Sequence, residues 1–423
     1  MALTEQGYRT RLTDNLIFRY MRLFGALSIE GPKWCGKTWT ALNHANSVVY
    51  IMDPESDYSN REAAKLNPSV VLTGERPLLI DEWQEVPGIW DAVRFASDRT
   101  KEKGLFILTG SSIPKKNAPM HSGAGRIARI RMRTMSLYES GDSSGTVSLT
   151  DLFNGKVIEP GISNLKQEFM IDLLIRGGWP ENIITDKDDI GIIPEQYLNA
   201  VANSEITEAD NIKRNPQLVL HLLAAIARTN MTPALLNTIV TDVQTRFGYV
   251  TRQTVAEYLT TLMRLYVIEE IPQWFPELRN KLRLRKAPKR MLTDPSIAVA
   301  ALNARSNELA RDPRTLGGIF ENLCIRDLLI YSDTIGAKLS HYHDENNLEV
   351  DAIIEFGTQW AAVEVKMGAH RVEDGVASLI RLRKKVVSRG ANIPAFLCVI
   401  TGGGPLYTRD DGIHVIPIDC LKP

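Results

Sequence analysis

Four residues, Gly31, Gly36, Lys37 and Thr38, have the spacing G-x-x-x-x-G-K-[ST]. Glycines let backbone N–H groups turn toward phosphate oxygens, the lysine reaches the β- and γ-phosphates, and a hydroxyl at a helix start can ligate Mg²⁺. The pattern follows an apolar run and precedes a helical segment, as this chemistry requires; a chance glycine-rich turn is the alternative. We predict a catalytic role for Lys37 and ATP contacts from Gly31, Pro32, Lys33, Trp34, Cys35, Gly36, Lys37, Thr38 and Trp39.

Two adjacent carboxylates, Asp81 and Glu82, end the apolar run 78–80. One carboxylate can hold Mg²⁺ while its neighbour orients the attacking water, so we assign Asp81, with Thr38, to the metal and Glu82 to catalysis. A further apolar run, 105–109, is followed closely by Ser111. We predict that the Ser111 hydroxyl senses the γ-phosphate, although turn chemistry explains a serine there equally well.

Four arginines follow within a short stretch, at Arg126, Arg129, Arg131 and Arg133. An arginine supplied across a subunit interface can stabilise the charge of a transferring phosphate. Arg126, directly after the tripeptide GAG, is our candidate for this catalytic role, and the role implies a homo-oligomer. The alternative is a set of arginines on one exposed strand face.

A second set of ionisable residues lies near the end of the chain, with Asp351 in LEVDAII and Glu364 and Lys366 in AAVEVKM. Residues two apart on a strand share a face, so Glu364 and Lys366 would point toward Asp351 if the two strands form a hairpin. Two carboxylates can hold Mg²⁺ at a phosphodiester while a lysine stabilises charge or activates water. Charges on a solvated strand face are the alternative.

This second set resembles the PD-(D/E)XK restriction-endonuclease superfamily, with Glu321 in FENLCIRDLL as a further member. The resemblance implies metal ligation by Asp351, Glu364 and Glu321, and catalytic roles for Asp351, Glu364 and Lys366. It implies a nuclease-like fold more directly than it implies cleavage, because one fold hosts many functions.

The segment 279–290, RNKLRLRKAPKR, is densely basic and contains no acidic residue. Such a run can neutralise DNA phosphates without reading base sequence. A solvated or subunit-facing run of charges is the alternative. The predicted DNA contacts are Arg279, Lys281, Arg283, Arg285, Lys286, Lys289 and Arg290.

The elements that position these residues can be read from the hydrophobic pattern. Short apolar runs alternate with helical segments over the first 140 residues, which predicts an α/β domain with a parallel sheet. Helical spacing over about 165–270, followed by the basic segment, suggests a winged helix, and four strand-like runs in the last third suggest a mixed α/β domain. We therefore predict three domains, at 1–140, 141–304 and 305–423.

The composition restricts the class of protein. Lys+Arg and Asp+Glu both total 50, so only local charge can point to nucleic acid. The four cysteines form no CxxC pair, which argues against a disulfide framework or zinc ribbon and favours a reducing cytoplasm. No apolar stretch is long enough for a membrane span, so we expect no membrane association.

The succession GPKWCGKT, LLIDE, LTGSS, GAGR and MSLYE resembles the prokaryotic AAA-type ATPases joined to a C-terminal domain of unknown function, number 4143. RGGWPE and KAPKRMLTDPSIAVAAL resemble later landmarks of that family, so the resemblance covers most of the chain. It implies a clustered or ring-forming ATPase with a winged-helix region; Trp34 and Cys35 are larger than is usual in the loop. We expect ATP hydrolysis with Mg²⁺ coupled to DNA binding or processing. The alternative is an ATP-dependent regulatory or defence switch with a non-catalytic nuclease-like module.

Overall fold

The structure is a computed structural model that describes residues 3–4, 6–113, 122–276 and 288–423. Its contacts divide the chain into two compact units. Unit 1 contains residues 1–134, 205–213 and 261–267, and unit 2 contains residues 135–204, 214–260 and 268–423. The two short segments of unit 1 come from the middle of the chain, which the hydrophobic pattern did not reveal. The predicted three-domain division stays a prediction.

Unit 1 is built on a five-stranded parallel sheet in the order β2-β3-β4-β1-β5. The elements of its first 134 residues are α1 (Thr13–Met21), β1 (Ala26–Glu30), α2 (Lys37–Leu42), β2 (Ser47–Tyr50), α3 (Ser59–Leu66), β3 (Leu78–Asp81), α4 (Gly88–Thr100), β4 (Phe106–Gly110) and β5 (Ile127–Arg131). The predicted α/β class and parallel sheet are confirmed.

Alternation along the strands explains why both faces of this sheet are covered. Ala26 of β1 packs into a core with Trp83 and Trp90, whereas its neighbour Leu27 packs into a second core with Ile17. Successive side chains of a strand point to opposite faces, so an apolar run such as β1 is stable only between two layers of helices. The carboxyl ends of the strands are then left as the accessible edge, where ligands bind in open α/β sheets.

The middle of the chain is helical, as predicted. Its elements are α5 (Leu137–Ser140), β6 (Val147–Ser148), α6 (Leu149–Phe153), β7 (Gly161–Ser163), α7 (Gln167–Arg176), α8 (Ile192–Ala200), α9 (Ile206–Glu208), α10 (Pro216–Arg228), α11 (Leu236–Phe247), α12 (Arg252–Arg264), β8 (Ile268–Ile271), β9 (Lys289–Leu292), α13 (Pro295–Leu302) and α14 (Ser306–Arg311). Strands β8 and β9 pair antiparallel after three consecutive helices, which is the element order of a winged helix. The winged-helix assignment itself stays a prediction, and Arg279, Lys281, Arg283, Arg285 and Lys286 lie outside the described residues.

The last third forms a seven-stranded mixed sheet in the order β10-β11-β12-β13-β15-β14-β7. Its new elements are α15 (Pro313–Ile335), β10 (Lys338–His343), β11 (Glu349–Phe356), β12 (Gln359–Val365), α16 (Val372–Val387), β13 (Leu397–Thr401), β14 (Gly404–Thr408), β15 (His414–Pro417) and β16 (Leu421–Lys422). Strands β10, β11 and β12 form an antiparallel meander, and β13 then pairs parallel to β12. This confirms the predicted mixed C-terminal sheet. Across the described ranges, no helix combines the length and apolarity needed to cross a membrane.

Candidate functional site

The phosphate-binding pattern occupies the loop between β1 and α2, at the carboxyl edge of the parallel sheet. Gly36 precedes α2 with φ of 95°, a left-handed conformation that glycine adopts without steric cost. Gly31 approaches the neighbouring backbone so closely that an added Cβ would lie 2.1 Å from the carbonyl oxygen of Met132. The loop therefore requires glycine at both positions, for two different reasons.

Two basic side chains fix the backbone of this loop. The Lys37 ammonium donates a hydrogen bond to the carbonyl oxygen of Pro32 at 2.8 Å. The buried Arg11 guanidinium donates to the carbonyl oxygens of Cys35 and Arg133, each at 2.8 Å. Arg11 has no motif and was missed, because its role depends on a contact over 24 residues of sequence. The side chain of Cys35 is fully buried, which explains how the loop accommodates this larger residue.

Asp81 lies at the end of β3 and accepts two hydroxyl hydrogen bonds. Thr38 Oγ1 donates to Asp81 Oδ1 at 2.7 Å, and Thr109 Oγ1 donates to the same oxygen at 2.6 Å. Burial raises the pKa of Asp81, and the two hydroxyl bonds only partly oppose this shift. A buried carboxylate beside a helix-start hydroxyl has the oxygen donors that Mg²⁺ prefers, so these residues fit the predicted ion. The contact of Thr109 with Asp81 was not predicted, although the pairing of β3 with β4 brings the two residues together.

Glu82 follows directly and has a left-handed backbone with φ of 56°. Its carboxylate accepts a hydrogen bond from Ser111 Oγ at 2.9 Å and another from the side-chain amide of Gln84. Gln84 also lies 3.3 Å from Ser111 Oγ. The structure thus brings the predicted water-orienting and sensing residues together, and adds Gln84, which no motif had indicated.

The arginines are divided between the two ends of β5. The backbone N–H of Ala26, the first residue of β1, donates to the carbonyl oxygen of Arg126, and the Arg126 side chain forms an exposed ion pair with Asp98. Since β1 and β5 are parallel, Arg126 lies at the edge opposite to the phosphate loop of its own chain. Within one chain it is therefore not an ATP contact, and a role across a subunit interface stays a prediction. Arg131 occupies the phosphate-side edge, with its guanidinium 5.0 Å from the centre of the Tyr266 ring.

The two short segments of unit 1 contact the nucleotide-site loops. Lys33, inside the phosphate loop, lies 3.4 Å from the Glu205 carboxylate, whose pKa is raised by burial. Arg264 donates from Nε and a terminal nitrogen to the carbonyl oxygen of Ile113, at 3.0 and 2.7 Å. Tyr266 donates from its hydroxyl to Glu30 Oε2 at 3.0 Å. These residues connect the phosphate loop, β1 and the segment after β4 to segments 205–213 and 261–267, and no motif indicated them.

The second predicted set assembles on the C-terminal sheet. Asp351 lies on β11, Glu364 lies on the adjacent β12, and Lys366 follows β12. The Lys366 ammonium contacts the Glu364 carboxylate and lies 3.7 Å from Asp351 Oδ2, which also accepts from the backbone N–H of Val365 at 2.9 Å. The structure therefore brings together the three residues that the strand pattern predicted to meet.

A second lysine, Lys289, joins this group through two further carboxylates. We call the whole group the acidic pocket; its members are Asp351, Glu364, Lys366, Lys289, Glu349 and Glu321. Lys289 Nζ lies 2.7 Å from Glu349 Oε1, 3.0 Å from Glu321 Oε1 and 3.2 Å from Asp351 Oδ1. Lys289 is 0% exposed. This corrects the prediction that Lys289 contacts DNA, because a phosphate cannot reach a fully buried ammonium. Arg290 pairs with Glu270 at 2.9 Å and donates to the carbonyl oxygen of Ala234.

The charges of the acidic pocket act on one another. Burial opposes ionisation of Asp351, but the Lys289 and Lys366 ammonium groups outweigh it and lower the Asp351 pKa. Burial, reinforced by Asp351, raises the pKa of both Glu321 and Glu364, and the neighbouring ammonium groups oppose this shift. In the part of the chain described, no three His, Cys, Asp or Glu side chains are grouped so as to hold a metal ion. The ligand set Asp351, Glu364 and Glu321 stays a prediction from the resemblance.

Comparisons with known proteins match three regions. Residues 24–140 match the AAA domain family, residues 167–308 match a domain of unknown function, DUF8612, and residues 316–421 match a domain of unknown function, DUF4143. Uncharacterised proteins of Mycobacterium bovis and Mycobacterium tuberculosis are each 20% identical over 349 residues, 80% of this chain and 69% of theirs.

Solved structures give more distant similarities. A Walker-type ATPase of Pyrococcus abyssi is 12% identical with a TM-score of 0.42, over 71% of this chain and 97% of that one. DnaA of Aquifex aeolicus bound to AMPPCP is 12% identical with a TM-score of 0.28, over 60% and 86%. The phosphate loop, the parallel sheet and the domain matches together confirm the expected family resemblance. The chain has an AAA-type P-loop ATPase domain at residues 24–140 and a DUF4143 domain at residues 316–421.

Proposed function

We propose that this chain is a Mg²⁺-dependent ATPase whose hydrolysis step is organised by Glu82 and Ser111. The observation that carries the proposal is the pair of hydrogen-bonded groups at the carboxyl edge of the sheet. Asp81 is held by two hydroxyls, and Glu82 is held by the Ser111 hydroxyl at 2.9 Å. Asp81 and Thr38 offer oxygen ligands for a cation, whereas Glu82 offers a carboxylate that can orient water.

Each residue then has a separate task. The backbone N–H groups of the loop and the Lys37 ammonium bind the β- and γ-phosphates, for which Lys37 has to exchange its bond to Pro32. Thr38 and Asp81 would hold Mg²⁺, which neutralises phosphate charge when it is bound. Glu82 orients a water whose oxygen attacks the γ-phosphorus as the bond to the β–γ bridging oxygen breaks. The water's proton passes to Glu82 or to the released phosphate.

We also propose that ATP hydrolysis alters how the chain holds DNA. The support is local charge: five of the predicted DNA contacts, Arg279, Lys281, Arg283, Arg285 and Lys286, lie in a stretch with no acidic residue. Binding of this kind releases counterions from DNA and weakens steeply as salt rises. The alternative is a regulatory or defence switch that acts on protein partners and for which DNA is irrelevant.

The deciding experiment measures ATP turnover with and without duplex, single-stranded and branched DNA, over a series of salt concentrations. Lys37→Ala is the control for contaminating ATPases, and the same DNA is run on a gel to detect cuts. We expect turnover that needs Mg²⁺ and Lys37, with stimulation by DNA that disappears at high salt. Turnover that survives Lys37→Ala would contradict the ATPase proposal. Normal turnover without stimulation or binding at low salt would contradict only the DNA proposal.

A further inference from the structure

We propose that Lys289 is the resident cation of the acidic pocket and occupies the place that a divalent metal takes in a metal-dependent nuclease. The C-terminal sheet then does not cut DNA through a metal at this pocket. This inference does not rest on the ATPase proposal, because every residue that carries it belongs to unit 2.

The contacts of the Lys289 ammonium are complete. An ammonium has three N–H donors, and Lys289 Nζ has three carboxylate neighbours, Glu349, Glu321 and Asp351, at 2.7–3.2 Å. A buried ammonium is costly unless it is paired and hydrogen-bonded, and this one satisfies both conditions. The Lys289 side chain is therefore an integral part of the acidic pocket.

A divalent ion does not fit the pocket in this arrangement. Mg²⁺ requires oxygen ligands at about 2.0–2.1 Å in near-octahedral geometry, so it would have to sit among the same oxygens that surround Nζ. Asp351, the carboxylate implied as a metal ligand, contacts Lys289 through Oδ1 and lies near Lys366 through Oδ2. Both of its oxygens thus face an ammonium group, and a third cation would meet repulsion from two directions.

Because of its position in the chain, Lys289 connects elements that are separate in sequence. It begins β9, which pairs with β8, whereas its partners come from helix α15 and strand β11. One ammonium therefore joins the β8–β9 hairpin to the helix and sheet of the nuclease-like region. A metal ion held by the carboxylates of α15 and β11 in place of this ammonium would leave β9 without its side-chain contact to them.

The test is titration of the nucleotide-free full chain with Mn²⁺, followed by calorimetry, with Lys289→Met as the variant. Methionine keeps the apolar stem and removes the charge. We expect no Mn²⁺ binding that depends on Asp351 in the wild type. In Lys289→Met we expect such binding, at least about tenfold tighter than any seen in the wild type, since the freed carboxylates attract a cation. Adding Asp351→Asn to the variant should remove the new site. Lys289→Arg retains the charge and should stay without metal.

Three results would overturn the proposal. The first is Mn²⁺ binding by the wild type that Asp351→Asn abolishes. The second is Mg²⁺-dependent DNA cleavage that Glu364→Gln abolishes. The third is a folded Lys289→Met variant that gains no Mn²⁺ affinity. If Lys289→Met does not fold, thermal unfolding of the wild type decides the matter. A Tm that Mn²⁺ leaves unchanged, or raises equally in the wild type and in Asp351→Asn, supports a metal-free pocket, and an increase in Tm that Asp351→Asn abolishes contradicts it.

Discussion

The two carboxylate groups of this protein differ in what surrounds them. Asp81 and Glu82 accept hydrogen bonds from hydroxyl and amide groups, which carry no charge. The carboxylates of the acidic pocket instead face two ammonium groups, Lys289 and Lys366. Neutral donors hold a carboxylate in position and leave its charge to attract a cation, whereas a paired ammonium removes that attraction.

A carboxylate motif therefore predicts the position of charge, but not whether that charge is available to bind a cation. Both groups fit a metal-binding pattern in the sequence. In the structure the two groups differ because one additional lysine, distant in sequence from Asp351 by 62 residues, reaches the second group.

The largest effect on ATP turnover is expected at Glu82. Glu82→Gln should lower ATP turnover by about 10²–10⁴-fold, because an amide orients water but cannot accept its proton. ATP affinity should remain, since the phosphate loop is untouched. Steady-state turnover and nucleotide binding are the measurements, with the exposed Glu75→Gln as the matched control. Equal turnover in the two variants would show that Glu82 takes no part in hydrolysis.

At the acidic pocket we expect a change of similar free energy, but in the stability of the fold and not in ATP turnover. Lys289→Met should lower the free energy of unfolding by about 3–5 kcal/mol, because the carboxylates around it lose their buried partner. Denaturant unfolding measures the change, and Lys338→Met, at an exposed position on β10, is the control with an expected effect within about 0.5 kcal/mol. ATP turnover under folding conditions should be unaffected. A loss below about 1 kcal/mol would mean that the ammonium is not an integral part of the pocket.

A smaller effect distinguishes sensing from turn chemistry at Ser111. Ser111→Ala removes a hydrogen bond to a charged carboxylate, worth about 1.5–3 kcal/mol, so turnover should fall roughly 10- to 100-fold. Ser112→Ala, one residue further along the same turn, should change turnover by less than about threefold. If both variants lose activity equally, the serines serve the backbone turn and Glu82 does not depend on Ser111.

The smallest effect is expected for Arg126→Ala. The residue forms an exposed ion pair with Asp98 at the edge opposite to the phosphate loop, so turnover should stay within about twofold of the wild type. Turnover per protomer is to be measured over a range of protein concentrations. A tenfold loss, together with wild-type turnover that rises with concentration, would show that a second chain completes the nucleotide site.

Local patterns made the nucleotide site predictable. Gly31 to Thr38, Asp81, Glu82 and Ser111 are each marked by a strand end or a fixed spacing, and parallel strands bring such ends to one edge. The strand alternation likewise predicted that Asp351, Glu364 and Lys366 would meet. These inferences need only the geometry of neighbouring elements.

The remaining residues could not be predicted because they depend on burial and on long-range contacts. Lys289 belongs to a basic run in which every charge has the same appearance in the sequence, and its burial becomes evident only from the structure. Arg11 lacks any motif and is recognised only by the atoms that it contacts. Thr109 lies within LTGSS, but its hydrogen bond to Asp81 is evident only from the structure. Arg126 was placed by proximity to a glycine turn, which does not show at which end of β5 it lies.

The division of the chain has a consequence for its integrity after proteolysis. Each unit is made of three separate segments, so the backbone passes from one unit to the other five times. A single cut near residue 134 would yield two fragments, yet segments 205–213 and 261–267 of the second fragment would still pack in the unit formed by the first. The contacts of Glu205 with Lys33 and of Arg264 with Ile113 would tether them. Such a nicked protein should migrate as one species in gel filtration and separate only in denaturant.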